Sequence, residues 1–128
     1  MLDPIFIVDA NSRQRAELCS FLELEHYRSV AVGSLGALEK GLKESGFQLV
    51  ILDLDTLQVD NRFLRTLIHK NPRTCVIATS TRSFHPELKE AFSTHISVCL
   101  SKPLDLDELL YWIKAICESR PSSRDSPQ

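Results

Sequence analysis

Residues 49–55 read Leu-Val-Ile-Leu-Asp-Leu-Asp, an apolar run followed at once by two carboxylates. A continuous apolar run of this length, bounded by polar residues, is typical of a strand buried on both faces of a parallel sheet. Asp53 stands at the carboxyl end of that strand, where open α/β sheets hold their ligands. The pattern therefore singles out Asp53 as the residue that carries chemistry.

Apolar strands alternate with amphipathic helices on both sides of this run. The other four strands are predicted at residues 5–8, 27–32, 75–78 and 96–100. Helices are predicted with N-terminal caps at Ser12, Ser34, Asp60 and Asp105, and Pro86 is predicted to open a further helix. Five strand–helix units in a row predict an α/β fold, a doubly wound five-stranded parallel sheet with helices on both faces.

Composition and charge limit the classes of protein to which the chain can belong. The chain has 128 residues, a net charge of -2 and a hydrophobic content of 43%. We expect one cytoplasmic domain over residues 1–118 that binds neither nucleic acid nor membranes, because the net charge gives no electrostatic reason for either and no stretch of about 20 apolar residues is present. From residue 119 the composition changes to Ser, Pro, Arg and Gln, which predicts a disordered linker or tail over 119–128. The 4 cysteines and 4 histidines show no metal-ligand spacing; the cysteines are expected in the core and the histidines at the surface.

Polar residues follow four of the predicted strands. These residues are Asp9, Asp53, Ser80 and Lys102. In a parallel sheet they should share one rim, where two carboxylates, a hydroxyl and an ammonium suit a phosphoryl group. The carboxylates can hold Mg²⁺, which takes oxygen ligands, and one of them can act as a nucleophile. The two threonines that flank Ser80 carry hydroxyls that can face the same crevice.

With these residues in place, the chain resembles the receiver domain of two-component response regulators over about residues 4 to 118. The resemblance rests on Val8-Asp9, Leu52-Asp53, the Ser/Thr residues after the fourth strand, and Lys102-Pro103. It implies a flavodoxin-like (βα)5 fold with strand order 2-1-3-4-5. It also implies site roles: Asp53 as phosphoacceptor, Asp9 in the Mg²⁺ site, Ser80 as the hydroxyl that closes on the phosphoryl group, and Lys102 as its counter-charge before a cis proline.

Three positions depart from the family pattern. Ala10 replaces the second acid of the metal site, which is normally a direct ligand, so we expect weak Mg²⁺ binding. Asp55 stands where a backbone carbonyl normally meets the metal. We therefore expect Asp9, Asp53 and Asp55 to form the metal site, with Asp55 contributing a side-chain oxygen. Cys99 replaces the aromatic residue that typically moves together with the hydroxyl.

The resemblance implies a signalling domain rather than an enzyme. Its phosphodonor would be a sensor histidine kinase or a histidine phosphotransfer protein, and its target a partner protein or an appended output domain. The face made by the fourth helix, fifth strand and fifth helix would dock partners, including a second copy of the chain. The alternative is a pseudo-receiver, a protein–protein interaction module that works without phosphorylation.

Two other classes fit the sequence less well. The string Asp53-Leu54-Asp55-Thr56 is similar to the motif of haloacid-dehalogenase phosphatases, but that motif lies on the first strand and spaces its threonine one residue further. A flavodoxin-like cofactor binder needs a Ser/Thr/Gly-rich phosphate loop after the first strand, and residues 9–13 contain no glycine. We expect neither activity.

Overall fold

The sheet has the predicted architecture. The computed structural model describes residues 4–42 and 47–119, in which five parallel strands lie in the order β2-β1-β3-β4-β5. The strands are β1 (Ile5–Val8), β2 (Ser29–Val32), β3 (Gln48–Asp53), β4 (Thr74–Ser80) and β5 (Ile96–Ser101). The α-helices are α1 (Ser12–Leu24), α2 (Leu35–Gly41), α3 (Asn61–Lys70), α4 (Lys89–Thr94) and α5 (Leu106–Ser119). The α/β class and the strand order are confirmed, whereas residues 120–128 of the predicted tail lie outside the described residues.

Strand alternation divides the core into two layers. Every residue of β3 is buried, as its apolar run predicts. Side chains at successive strand positions point to opposite faces, so Val50 and Leu52 pack with the buried residues of α2, α3 and α4. Leu49 and Ile51 pack on the other face with buried residues of α1 and α5. Because the helices cover both faces, the carboxyl edge of the sheet is where β3 presents its polar end.

The helix caps largely follow the sequence. Ser34 and Asp60 accept hydrogen bonds from the third residue after each of them, and the Asp105 carboxylate accepts from two N–H groups at the start of α5. The prediction for α1 was wrong by one residue. Asn11 has an extended backbone and its side chain accepts from Gln14 N–H, which makes Ser12 the first helical residue.

The start of α4 depends on a residue from another helix. A 3₁₀ turn, Pro86–Leu88, leads into α4, and Leu88 at its N-cap provides no side-chain cap. Asn61, the first residue of α3, supplies the missing contacts: its amide donates to the Glu87 carbonyl at 3.2 Å and accepts from Ala91 N–H at 2.9 Å. We refer to this contact as the Asn61 bridge.

Two expectations about burial have different outcomes. The four cysteines lie within the described residues, form no disulfide there and are partly buried, in keeping with a role as small core residues. His85 is not at the surface: it is 7% exposed, and its ring lies 5.4 Å from that of Phe92. No helix within residues 4–42 or 47–119 combines the length and apolar character needed to cross a membrane.

Candidate functional site

The four residues predicted to share a rim come from the carboxyl ends of four strands. Asp9 directly follows β1, Asp53 and Ser80 end β3 and β4, and Lys102 directly follows β5. The register pairs Asp53 with Thr79 across β3 and β4, and Ser80 with Ser101 across β4 and β5. The parallel topology therefore places all four positions at the same edge of the sheet. The peptide bond before Pro103 is cis, as the resemblance implies.

Asp53 is the most deeply buried acid of this edge, with 2% of its side chain exposed. The Lys102 ammonium lies 2.6 Å from its Oδ1, and the Thr79 hydroxyl donates to the same oxygen at 2.8 Å. The backbone N–H of Thr56 donates to Oδ2 at 3.0 Å. A buried carboxylate is stable when it is paired and hydrogen-bonded, and these three contacts meet that requirement.

Asp9 is also buried, but its contacts are of a different kind. Its carboxylate accepts from the Asn11 N–H at 2.8 Å, from the Gln14 amide at 3.2 and 3.0 Å, and from the Thr56 hydroxyl at 3.1 Å. The nearby guanidinium of Arg15 donates to the Asp9 main-chain carbonyl at 2.7 Å rather than to the carboxylate. All donors recorded on the carboxylate in the described residues are therefore neutral.

The contacts of the two acids join into a closed ring. The Gln14 amide donates to Asp9 and its oxygen accepts from Lys102 at 3.3 Å, and Lys102 pairs with Asp53. Thr56 closes the circuit, because its N–H donates to Asp53 and its hydroxyl donates to Asp9. We refer to Asp9, Gln14, Lys102, Asp53 and Thr56 as the hydrogen-bond ring. It holds both carboxylates with one ammonium and neutral donors.

Asp55 faces away from Asp9. One of its oxygens lies 3.1 Å from the Lys102 ammonium, and its carboxylate accepts from the Ser80 hydroxyl at 3.2 Å and from Thr81 N–H at 3.0 Å. Burial acts to raise the pKa of Asp55, but the contacts with Lys102, Thr81 and Ser80 outweigh it, so the pKa lies below its ordinary value. In the described part of the chain, no three acids, histidines or cysteines converge to hold a metal. The carboxylates of Asp9, Asp53 and Asp55 are therefore not grouped around one point in the described residues, because Asp55 is held by β4 and Lys102. Their joint role as metal ligands stays a prediction.

Lys102 is shared between two acids. Burial acts to lower its pKa, but the hydrogen bonds to Asp53 and Asp55 outweigh burial, so the pKa of the ammonium lies above its ordinary value. Lys102 therefore stays charged at neutral pH. It is the electrostatic centre of the site, because it contacts both acids of the β3 end and the Gln14 bridge to Asp9.

The hydroxyl that touches Asp53 belongs to Thr79, not to Ser80. Neighbouring strand residues point to opposite faces, and the register sets Thr79 beside Asp53. The Ser80 hydroxyl donates instead to Asp55 at 3.2 Å. The switching role expected for Ser80 remains a prediction, and direct contact with the acid favours Thr79 for that role. Gln14 and Thr56 were also not identified from the sequence, because their position in the ring depends on how α1 and the loop after β3 pack.

Cys99 lies in the middle of β5, opposite Ala78 of β4. Its side chain borders a groove of about 650 Å³ that Phe84 and Phe92 also line. Burial, and to a smaller extent the charge of Asp55, raise the pKa of the Cys99 thiol. The thiol is therefore protonated at neutral pH and acts as a small apolar group at this position.

A cavity of about 570 Å³ opens onto the ring from the side of α1. Asp9, Gln14, Asp53 and Lys102 form its polar end. Its apolar walls come from α1 and from the segment after β5, and include Leu18, Phe21, Leu104 and Leu106. A group that approaches Asp53 by this route meets an apolar surface before it meets the charged ring.

The donor set of the ring is compatible with a divalent cation. Asp9 is a carboxylate with 8% exposure and, within the described residues, no side-chain cation at ion-pair distance. A charge buried in this way is costly unless it is compensated, and a cation beside Asp9 would compensate it. Mg²⁺ commonly uses one or two carboxylates together with phosphate oxygens and water. Asp9 and Asp53 provide two such carboxylates.

The comparisons with known proteins agree with this geometry. The family model described as the response regulator receiver domain matches residues 5–114. The chain belongs to this family. Receiver domains are signalling domains and in general not enzymes. No curated protein sequence matches the chain significantly.

Solved structures show the same fold at low sequence identity. A CheY-like receiver domain protein from Methanospirillum hungatei superposes with a TM-score of 0.80 at 18% identity, covering 92% of this chain and 95% of the other. The non-phosphorylated HemR receiver domain from Leptospira biflexa has a TM-score of 0.78 at 20% identity, with coverage of 94% and 99%. The response regulator TrrA from Thermotoga maritima, solved in complex with Mg²⁺-BeF, has a TM-score of 0.75 at 19% identity, with coverage of 90% and 99%.

Proposed function

We propose that this receiver domain accepts a phosphoryl group on Asp53 and passes the signal to a partner or to an output domain. The observation that carries the proposal is the pair of donors on one oxygen of Asp53, with the Lys102 ammonium at 2.6 Å and the Thr79 hydroxyl at 2.8 Å. During phosphoryl transfer an ammonium in this place neutralises negative charge, and a hydroxyl stabilises it by donating a hydrogen bond.

The transfer exchanges one bond for another. An Asp53 oxygen attacks the phosphorus of a phosphohistidine, the N–P bond of the donor breaks, and an O–P bond forms on Asp53. The imidazole leaves with the electron pair of the N–P bond and takes up a proton from water. The negative charge then lies on the phosphoryl oxygens rather than on the carboxylate. Lys102 and Thr79 therefore exchange their contacts with the Asp53 oxygen for contacts with phosphoryl oxygens.

Asp9 and Asp53 are the residues that would hold Mg²⁺. The metal would supply charge neutralisation to the phosphoryl oxygens. Asp55 is left out of this assignment because its carboxylate is bound by Lys102, Ser80 and Thr81. With two carboxylates rather than three, the expected affinity for Mg²⁺ is low.

The donor would be a sensor histidine kinase or a histidine phosphotransfer protein in the cytoplasm. The cavity on the α1 side supports this, since its apolar walls end at Asp53 and Lys102. The output would pass through the face of α4, β5 and α5 to a partner, a second copy or an output domain. Tyr111 on α5 is 64% exposed and so is accessible for such a contact.

Intact-mass spectrometry tests the proposal directly. The purified protein is incubated with a small-molecule phosphodonor and Mg²⁺, and we expect a mass gain of one phosphoryl group. The gain should disappear in Asp53→Asn and persist in Asp107→Asn, a matched change at an acid in the first turn of α5. A wild-type protein that stays unlabelled, while an active receiver in the same buffer is labelled, contradicts the proposal.

The hydrogen-bond ring favours one second candidate, a pseudo-receiver that signals by protein contact alone. In the ring, both carboxylates are already held by donors of the chain itself. If the protein is a pseudo-receiver, its wild-type form and its Asp53→Asn variant should bind the same partner with equal affinity. A phosphorylation-dependent receiver would lose the response to the phosphodonor in that variant.

A further inference from the structure

The hydrogen-bond ring gives Gln14 and Thr56 a function that the family pattern does not assign. We propose that these two residues are positioning residues that occupy the place of the divalent cation: they hold Asp9 and Asp53 in the metal-free protein, and a cation has to displace them to bind. The inference rests on the proposed function for its metal, but its test does not depend on phosphorylation.

Gln14 contacts both oxygens of the Asp9 carboxylate. Its amide nitrogen lies 3.2 and 3.0 Å from the two oxygens, and its own oxygen accepts from the Lys102 ammonium at 3.3 Å. One side chain therefore donates to the acid and accepts from the lysine. A metal ion that binds Asp9 needs the lone pairs that the amide now occupies, so the two compete.

Thr56 occupies the gap between the two acids. Its N–H donates to Asp53 at 3.0 Å, while its hydroxyl donates to Asp9 at 3.1 Å and accepts from Ala10 N–H at 3.0 Å. A cation shared by Asp9 and Asp53 would need part of this space. The backbone N–H of Ala10 donates to the Thr56 hydroxyl and so helps to keep that hydroxyl in the gap.

The electrostatic result is a site that is stable without metal. Neutral donors satisfy the hydrogen bonds of Asp9 and so lower the cost of its burial. They leave its net charge in place, so a cation still gains from binding there. We therefore predict that Mg²⁺ binds measurably but weakly, because it must displace the hydrogen bonds of Gln14 and Thr56 to bind.

Isothermal titration with MgCl₂, in the absence of any phosphodonor, tests the inference. Gln14→Leu removes the bridge with a side chain of similar length that also favours a helix. We expect Mg²⁺ to bind about threefold to tenfold more tightly than in wild type, the range for losing one competing hydrogen bond of ordinary net strength. Thr56→Val should act in the same direction, since it keeps the N–H and removes the hydroxyl.

Gln14→Glu adds a carboxylate beside Asp9, and we expect Mg²⁺ to bind more tightly by about tenfold or more, because affinity rises with the number of charged ligands. Gln58→Glu is the matched control: it makes the same change at an exposed residue of the loop before α3, and it should leave the affinity within about twofold. Ala10→Asp, which restores the second acid of the family pattern, is the positive control.

Three results would overturn the inference. One is an unchanged or weaker Mg²⁺ affinity in both Gln14→Leu and Thr56→Val, which would mean that neither residue competes with the cation. Another is equal tightening by Gln14→Glu and Gln58→Glu, which would reduce the effect to net charge. The third is no binding in any variant, including Ala10→Asp. Labelling of Asp53 decides the proposed function separately. If the wild type is labelled but the variants bind Mg²⁺ with the wild-type affinity, the proposed function stands and this inference is rejected.

Discussion

Replacement of Lys102 by methionine tests how strongly the ring depends on its one ammonium. The change removes the only cation recorded within 2.6 Å of Asp53 in the described residues and leaves an acid with 2% exposure beside two neutral donors. Removing one partner of a buried ion pair costs about 3–5 kcal/mol. Because 16% of the Lys102 side chain is exposed and Asp53 keeps two hydrogen bonds, we expect the lower end, about 3 kcal/mol.

Urea unfolding at neutral pH measures this loss. For a domain of this size the expected cost corresponds to a midpoint lowered by about 1–2 M. Lys114→Met, at an exposed position of α5, is the matched control and should change the free energy of unfolding by less than about 0.5 kcal/mol.

A second substitution identifies the cause of the loss. Asp53→Asn in the Lys102→Met background removes the unpaired charge, so it should restore a substantial part of the lost stability, as a double-mutant cycle will show. If Lys102→Met unfolds at the same urea concentration as Lys114→Met, or if Asp53→Asn lowers the stability further, the argument from an unpaired buried charge is wrong.

Three further predictions concern pH, the core and a helix cap. The pKa of Lys102 is raised in the folded protein. The stability that its ion pairs contribute is therefore complete below the ordinary pKa of 10.5 and is lost as the pH rises through the folded-state pKa. In that pH range the urea midpoint of wild type should fall more steeply than that of Lys102→Met. Leu64→Ala in α3, which is 0% exposed, should destabilise the protein by about 2–5 kcal/mol in the same assay, whereas Leu24→Ala, at 77% exposure, should have little effect. Asn11→Ala removes the cap of α1 and should cost about 1 kcal/mol in thermal unfolding, and an unchanged midpoint would mean that this cap does not contribute.

The sequence predicts the fold well because the relevant signals are local. The apolar run before Asp53 and the regular alternation of strands and helices are sufficient to predict the parallel sheet, and strand order follows from the resemblance. Cap prediction at Ser12 failed by one residue because Asn11 and Ser12 are both good capping residues. Only the backbone conformation at Asn11 distinguishes them.

The site is predicted less completely because its contacts join distant parts of the chain. Whether Thr79 or Ser80 touches Asp53 depends on the register between β3 and β4, which the sequence of β4 alone does not contain. The position of Asp55 depends on the donors that Lys102 and the end of β4 bring to its carboxylate, and these come from distant parts of the chain. The contacts of Gln14 and Thr56 were not predicted for the same reason, since a glutamine in the first turn of a helix is usually only a solvated side chain.

The Asn61 bridge links the loop that follows Asp53 to the start of α4. Because α4 has no cap of its own, a displacement of Asn61 would break both contacts that hold the start of that helix. Asn61 directly follows the loop after Asp53, so a change in that loop that moves Asn61 would also act on the start of α4. The two contacts therefore offer a path between these regions that does not pass through the side chain at position 99.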